Sequence, residues 1–124
     1  MISLSKKPNF DDLIVSIGDF LDVTPEKIRR LNESWNQALY GSPVFTVEGQ
    51  YSSRGWTEWT QGFQYGCQIL LFDATGDEEF LEMGRRNTIE HMAPHVSHVG
   101  VHDHGFNNVS TYGNLRRLML EDRI

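Results

Sequence analysis

The sequence predicts an all-α protein, and three observations carry that expectation. Apolar residues recur three and four positions apart through most of the chain, the spacing that gathers side chains on one face of a helix. Capping and breaking residues stand at the edges of those runs: Thr24 with Pro25, Gly76 with Asp77, and Pro94. The one stretch with β-propensity, "SPVFTVEGQYSSRG", is short and bounded by Gly and Pro, so it reads as a connecting loop with an extended piece.

Taken in order, "NFDDLIVSIGDFL" places Phe10, Leu13, Ile14, Ile17 and the Phe20/Leu21 pair at helical spacing, with Asn9 or Asp11 as the cap. A second helix is expected from Thr24, because Pro25 suits the first helical position and Glu26 the positive end of the dipole. Ile28, Leu31, Trp35, Ala38 and Leu39 form its stripe, and Gly41 and Pro43 end it. Trp59, Phe63, Gly66/Cys67, Leu70/Leu71 and Ala74 make a third. Phe80, Leu81, Gly84, Thr88 and His91/Met92 make a fourth, stopped by Pro94. Between these two, Gly76 is placed for a left-handed helix end and Asp77 for the next cap, so the pair forms an antiparallel hairpin. A histidine-rich loop then runs to about Asn108, and Leu115, Leu118 and Met119 mark a last helix. Apolar side chains on more than one side of the third and fourth helices suit elements packed between neighbours. The last helix reaches the chain end with no Gly or Pro stop. The expectation is a slice of a larger helical assembly, one partial domain over 1–124.

The 124 residues contain 39% hydrophobic side chains and carry a net charge of −6, with no run of Lys or Arg. That balance argues against a nucleic-acid or anionic-membrane partner, since both need concentrated positive charge. Cys67 is the sole cysteine, which excludes an intrachain disulfide and a cysteine-based zinc site. "MISLSKKPNF" has no apolar run after its lysines, and "CQILLF" is too short to span a bilayer, so a cytoplasmic protein is expected.

The chemistry-bearing segment is "VGVHDHGFNNVS", residues 99–110, preceded by His91, His95 and His98. A metal reading starts from His91 and His95, four apart, but Pro94 disrupts the helix that would align them, and no zinc-protease pattern follows. A carboxylate reading centres on Asp103, flanked by His102 and His104 and followed by Gly105 and Phe106. A carboxyl near aromatics has its charged form disfavoured and becomes able to donate a proton. Either imidazole could tune it or bind a sugar hydroxyl, and Trp56, Trp59, Phe63 and Tyr65 offer flat faces for pyranose rings. The plainer alternative is that Asp103 caps the last helix or pairs with His104 while the tryptophans are core.

In order, "WTQGFQYG" (59–66), "TGDEEFLEMG" (75–84), "HDHGF" (102–106) and "STYGNL" (110–115) resemble the N-terminal part of the unsaturated glucuronyl hydrolases, glycoside hydrolase family 88, over roughly residues 56–120. The resemblance implies helical hairpins forming part of an (α/α)6 barrel. It implies action on oligosaccharides ending in a Δ4,5-unsaturated glucuronic acid, by protonation and hydration of the C4=C5 vinyl ether without metal or other cofactor. Displacement at the anomeric carbon, the ordinary glycosidase route, is not involved. Asp103 matches the first of two essential aspartates. His102 and Phe106 match substrate-contacting positions, and Trp59 matches an aromatic wall. His104, the other substrate-binding candidate, stands in a slot that is commonly aliphatic. The second aspartate has no counterpart, because Glu121 and Asp122 sit on the terminal helix. These residues alone are therefore expected to be inactive, with exposed helix faces open to self-association. The alternatives are a non-catalytic helical module binding carbohydrate or protein, and a His-rich metal-binding domain.

Overall fold

The computed structural model describes residues 9–35 and 41–124. The lysine-bearing start of the chain, and Ala38 and Leu39 of the second expected stripe, lie outside those residues. Where two helices were expected at the start, one long helix forms, α1 (Phe10–Ser34), capped by Asn9, whose side chain accepts from the Asp11 N–H at 3.3 Å. Pro25 lies inside it, and the Thr24 hydroxyl donates backward to the Phe20 carbonyl at 2.6 Å rather than capping a new helix. An interior proline costs about 3 kcal/mol, because the Leu21 carbonyl loses its partner N–H. Packing offsets that cost: Leu21 and Ile28, seven apart on one helical face, both rest on the core, and only an unbroken helix places them there together.

The expected loop instead contains an antiparallel β-hairpin, β1 (Pro43–Val47) and β2 (Gln50–Ser53), paired from Pro43↔Ser53 to Val47↔Gln50 with an irregularity between Pro43 and Phe45. Its two-residue turn has positive φ at both Glu48 (50°) and Gly49 (77°), the twist-matched geometry that closes a tight hairpin. The fold is thus largely helical with one small sheet, and the all-α expectation is corrected to that extent.

Helices α2 (Thr60–Thr75) and α3 (Glu78–His91) form the expected hairpin. Gly76 closes α2 at φ 75°, and the Asp77 side chain caps α3 by accepting from the Glu79 N–H at 3.1 Å. The two helices approach so closely that a methyl on Gly84 would meet the Ile69 side chain at 2.6 Å. Ile28, Ile69, Leu71, Phe72, Phe80, Leu81, Met83 and Leu118 make the core. Beside it a buried amide cluster ties three helices together: the Asn87 side-chain amide donates to Asn32 Oδ1 (2.8 Å) and Gln68 Oε1 (2.9 Å).

After Pro94 the chain is more helical than expected. A short helix α4 (Ala93–Ser97) is followed by an irregular stretch over 98–103. Helix α5 (His104–Asn108) then runs through a π-helical turn (Val109–Gly113) into α6 (Asn114–Leu120). Asp122 supplies the stop that the sequence lacked in Gly or Pro: it takes φ 53°, and the Arg123 N–H returns to the Leu118 carbonyl at 2.9 Å. Arg117 and Arg123 both grip Asp73, fastening this end to α2.

Candidate functional site

The site is built where α2 meets α5 and the π-helical turn that follows it. Gly62 and Gly66, one turn apart, let the two backbones touch. A Cβ on Gly62 would lie 2.4 Å from Asn107 Cα, and one on Gly66 would lie 2.6 Å from the Ser110 carbonyl oxygen. The "GFQYG" segment is therefore a packing device as well as a motif. Trp59, which opens α2, provides no side-chain cap. Asn107 does so from 45 residues away: its Oδ1 accepts from the Gly62 N–H at 2.7 Å, and its Nδ2 donates to the Glu58 carbonyl at 3.2 Å.

Three of the five histidines converge behind this contact. His95 Nδ1 lies 2.9 Å from His104 Nδ1, His104 Nε2 lies 2.7 Å from His98 Nδ1, and His95 Nε2 lies 2.6 Å from Gln61 Oε1. Trp56 stacks on His104, with centroids 5.9 Å apart at 20°, and meets the other two edge-on. The proton positions follow from the partners. Asn107 Nδ2, identified as the donor by its bond to Glu58, also faces His95 Nδ1 at 3.1 Å. His95 Nδ1 must therefore accept, and its proton sits on Nε2 toward Gln61. His104 then donates from Nδ1 and accepts at Nε2 from His98 Nδ1–H. All three rings are then neutral, with the single lone pair of His95 Nδ1 shared between the Asn107 and His104 donors. Burial, with neighbouring His104 and His98 adding to it, pushes His95 down to about 4, and burial with His98 also lowers His104 against the opposing pull of Asp103.

These spacings belong to hydrogen bonds. Two imidazole nitrogens on one tetrahedral zinc stand about 3.3 Å apart, and the His104 ring uses both of its nitrogens on different neighbours. Among the described residues no group of three His, Cys, Asp or Glu side chains is arranged to hold a metal ion. His91 takes no part, being stacked on Tyr65 at 5.4 Å.

On the outer side of α5 lies an open recess of about 470 Å³ lined by Phe63, His102, Gly105, Phe106, Val109 and Ser110. His102 Nε2 reaches Asp103 Oδ1 at 3.1 Å, with the imidazole almost fully exposed and the carboxyl three-quarters covered. Trp59 reaches the recess through Phe63, which it meets edge-on at 5.3 Å. Of the sequence-derived candidates, His102 and Phe106 line the recess, Asp103 stands beside it through His102, and Trp59 backs one wall. His104 points the other way, 6% exposed, into the histidine array. The turn that starts α5 explains the split, since consecutive side chains there diverge by about 100°. Asp103 occupies the position before α5 but makes no capping bond.

Sequence reasoning missed Gln61 and Asn107, the two amides that orient the array. The available signal was the glycine pair one turn apart in α2, which announces a close backbone approach without identifying the partner. No family model, curated protein or solved structure matches this chain.

Proposed function

We propose that the recess at Phe106 binds the non-reducing end of an oligosaccharide terminated by an unsaturated uronic acid, with Asp103 as the carboxyl that addresses its C4=C5 bond. The observation that carries this reading is the His102–Asp103 pair at the lip of an aromatic recess. Phe63 and Phe106 offer the apolar faces that a pyranose ring stacks on, Gly105 leaves room for close approach, and His102 and Ser110 offer hydrogen bonds to hydroxyls. The motif order described above supports the same assignment, including the placement of these hairpins within an (α/α)6 barrel.

The chemistry that the resemblance implies begins with proton transfer from the Asp103 carboxyl to C4. Water adds at C5 and gives up a proton to the Asp103 carboxylate left by the first step, and the resulting hemiketal opens to release the shorter sugar. His102 holds the Asp103 carboxyl in place from the solvent side. The resemblance supplies one essential carboxylate and no counterpart of the second, so these 124 residues bind the sugar without turning it over.

Titration calorimetry with a lyase-generated unsaturated disaccharide tests the reading, run alongside the vinyl-ether absorbance. Binding that falls roughly tenfold in Phe106→Ala, about 1.4 kcal/mol, with no decay of absorbance, is the expected result. Absence of binding by the unmodified chain overturns the assignment. Turnover abolished by Asp103→Asn overturns the claim of inactivity and strengthens the role of the carboxyl.

A further inference from the structure

A second cavity of about 570 Å³ opens between the C-terminal half of α1 and the tip of the β-hairpin. We infer that it is a separate binding site for an anionic sugar, with Lys27 and Arg30 taking the acid group and Tyr51 and Trp35 the ring face.

Lys27, Arg30, Leu31 and Ser34 fall on one stripe of α1, and Gly49, Gln50 and Tyr51 of the hairpin stand opposite. Adjacent arginines of the helix have different fates. Arg29 faces α3, where it makes two bonds to the Glu79 carboxylate (2.9 and 2.7 Å) and lies 5.0 Å over the Phe80 ring. Arg30 faces the cavity, and among the described residues neither it nor Lys27 joins an ion pair. Two cations outside any ion pair among the described residues thus share one concavity of a chain with net charge −6.

The aromatic wall is fixed rather than loose. The Trp35 indole N–H donates to the Gly41 carbonyl at 2.8 Å, and its ring meets Tyr51 nearly perpendicular with centroids 6.2 Å apart. Tyr51 remains half-exposed. Gln50 adds an amide suited to hydroxyl groups. The volume falls in the range of small-molecule sites. A bare inorganic anion would have no use for the aromatic wall, and a nucleic acid needs a longer basic stripe than one turn of helix provides. A uronate-bearing saccharide uses all three features: acid group, flat ring face and hydroxyls.

The test is a titration of the intact chain with trigalacturonate at low salt, followed by the Trp35 indole N–H resonance and by calorimetry. Maltotriose and sodium sulfate serve as the neutral-sugar and anion-only probes. Trigalacturonate should bind and move the Trp35 signal. Arg30→Ala, Lys27→Ala and Tyr51→Ala should each weaken binding roughly fivefold, the scale of about 1 kcal/mol, while Phe106→Ala leaves it unchanged. Equal binding of maltotriose, or an equal Trp35 shift with sulfate, overturns the assignment. So does trigalacturonate binding that responds to Phe106→Ala and not to Arg30→Ala, which places the sugar at the other recess.

Discussion

The two halves of α1 carry the same kind of apolar stripe and meet opposite fates. Phe10 is 78% exposed, and every residue from 10 to 20 stands in solvent, whereas Ile28, on the same helix past Pro25, is 6% exposed in the core. The difference is not in the side chains. It lies in whether another element comes to meet them: α2 and α3 pack against the second half, and no described element covers the first. An amphipathic pattern states that a face is able to be buried, while burial itself requires a neighbour.

The largest test of this contrast is a pair of aromatic truncations. Phe80→Ala should lower the unfolding free energy by about 4 kcal/mol, the range for a large buried aromatic, because Phe80 is almost wholly enclosed. Phe10→Ala should change it by no more than about 0.5 kcal/mol. Urea unfolding measures both, and similar losses would show that the first half of α1 is covered in solution.

Glycines sharpen the comparison next. Gly62→Ala forces a methyl against the Asn107 backbone and should cost about 3 kcal/mol. Gly18→Ala, in open space on the exposed half of α1, should stabilise by roughly 0.5–1 kcal/mol through helix propensity. Thermal melts of the two variants should therefore move in opposite directions.

The histidine array predicts an acid sensitivity between pH 6.5 and 4. His95 has a folded-state value near 4, below the ordinary 6.5, so the folded protein disfavours the proton that the unfolded chain accepts. Its contribution is present above pH 6.5 and is lost as pH falls from 6.5 toward 4, a loss of about 2 kcal/mol by pH 5. A protonated His95 Nδ1 faces the Asn107 Nδ2 donor and requires His104 and His98 to change tautomer, so protonation disrupts this arrangement of the array. Unfolding measured at pH 7, 6 and 5 should show this acid limb, and His95→Gln should flatten it.

The smallest effect belongs to the exposed face itself. Ile14→Ser with Ile17→Ser should leave stability within about 0.5 kcal/mol while reducing any concentration dependence of the sedimentation coefficient.

Much of the helical layout was legible in the residues. The α2–α3 hairpin could be read because Gly76 and Asp77 mark its turn by local chemistry alone. Two misreadings have identifiable causes. Pro25 after Thr24 is a good helix start, and only the joint packing of Leu21 and Ile28 outweighs it. The β-hairpin was obscured because β1 shows no inward–outward alternation and its turn is Glu48-Gly49, lacking the Asn or Asp that usually signals this geometry. At the site, His102, Asp103 and Phe106 drew notice by residue type. The inward turn of His104 did not, because it depends on His95 of α4, on His98 just after it and on Trp56 ahead of α2.

By itself the sequence determined what is local: the caps, the glycine at φ 75°, the apolar stripes, and the clustering of imidazoles near one carboxyl. Each depends on residues within a turn or two, where backbone sterics and side-chain hydrogen bonds act without distant help. Only the tertiary structure decided which stripe is covered, which imidazoles share protons, and which cations stay uncommitted. Those outcomes depend on groups brought together from separate elements, such as Asn107 with Gly62 and His95 with Gln61. Their meeting is set by how whole helices pack.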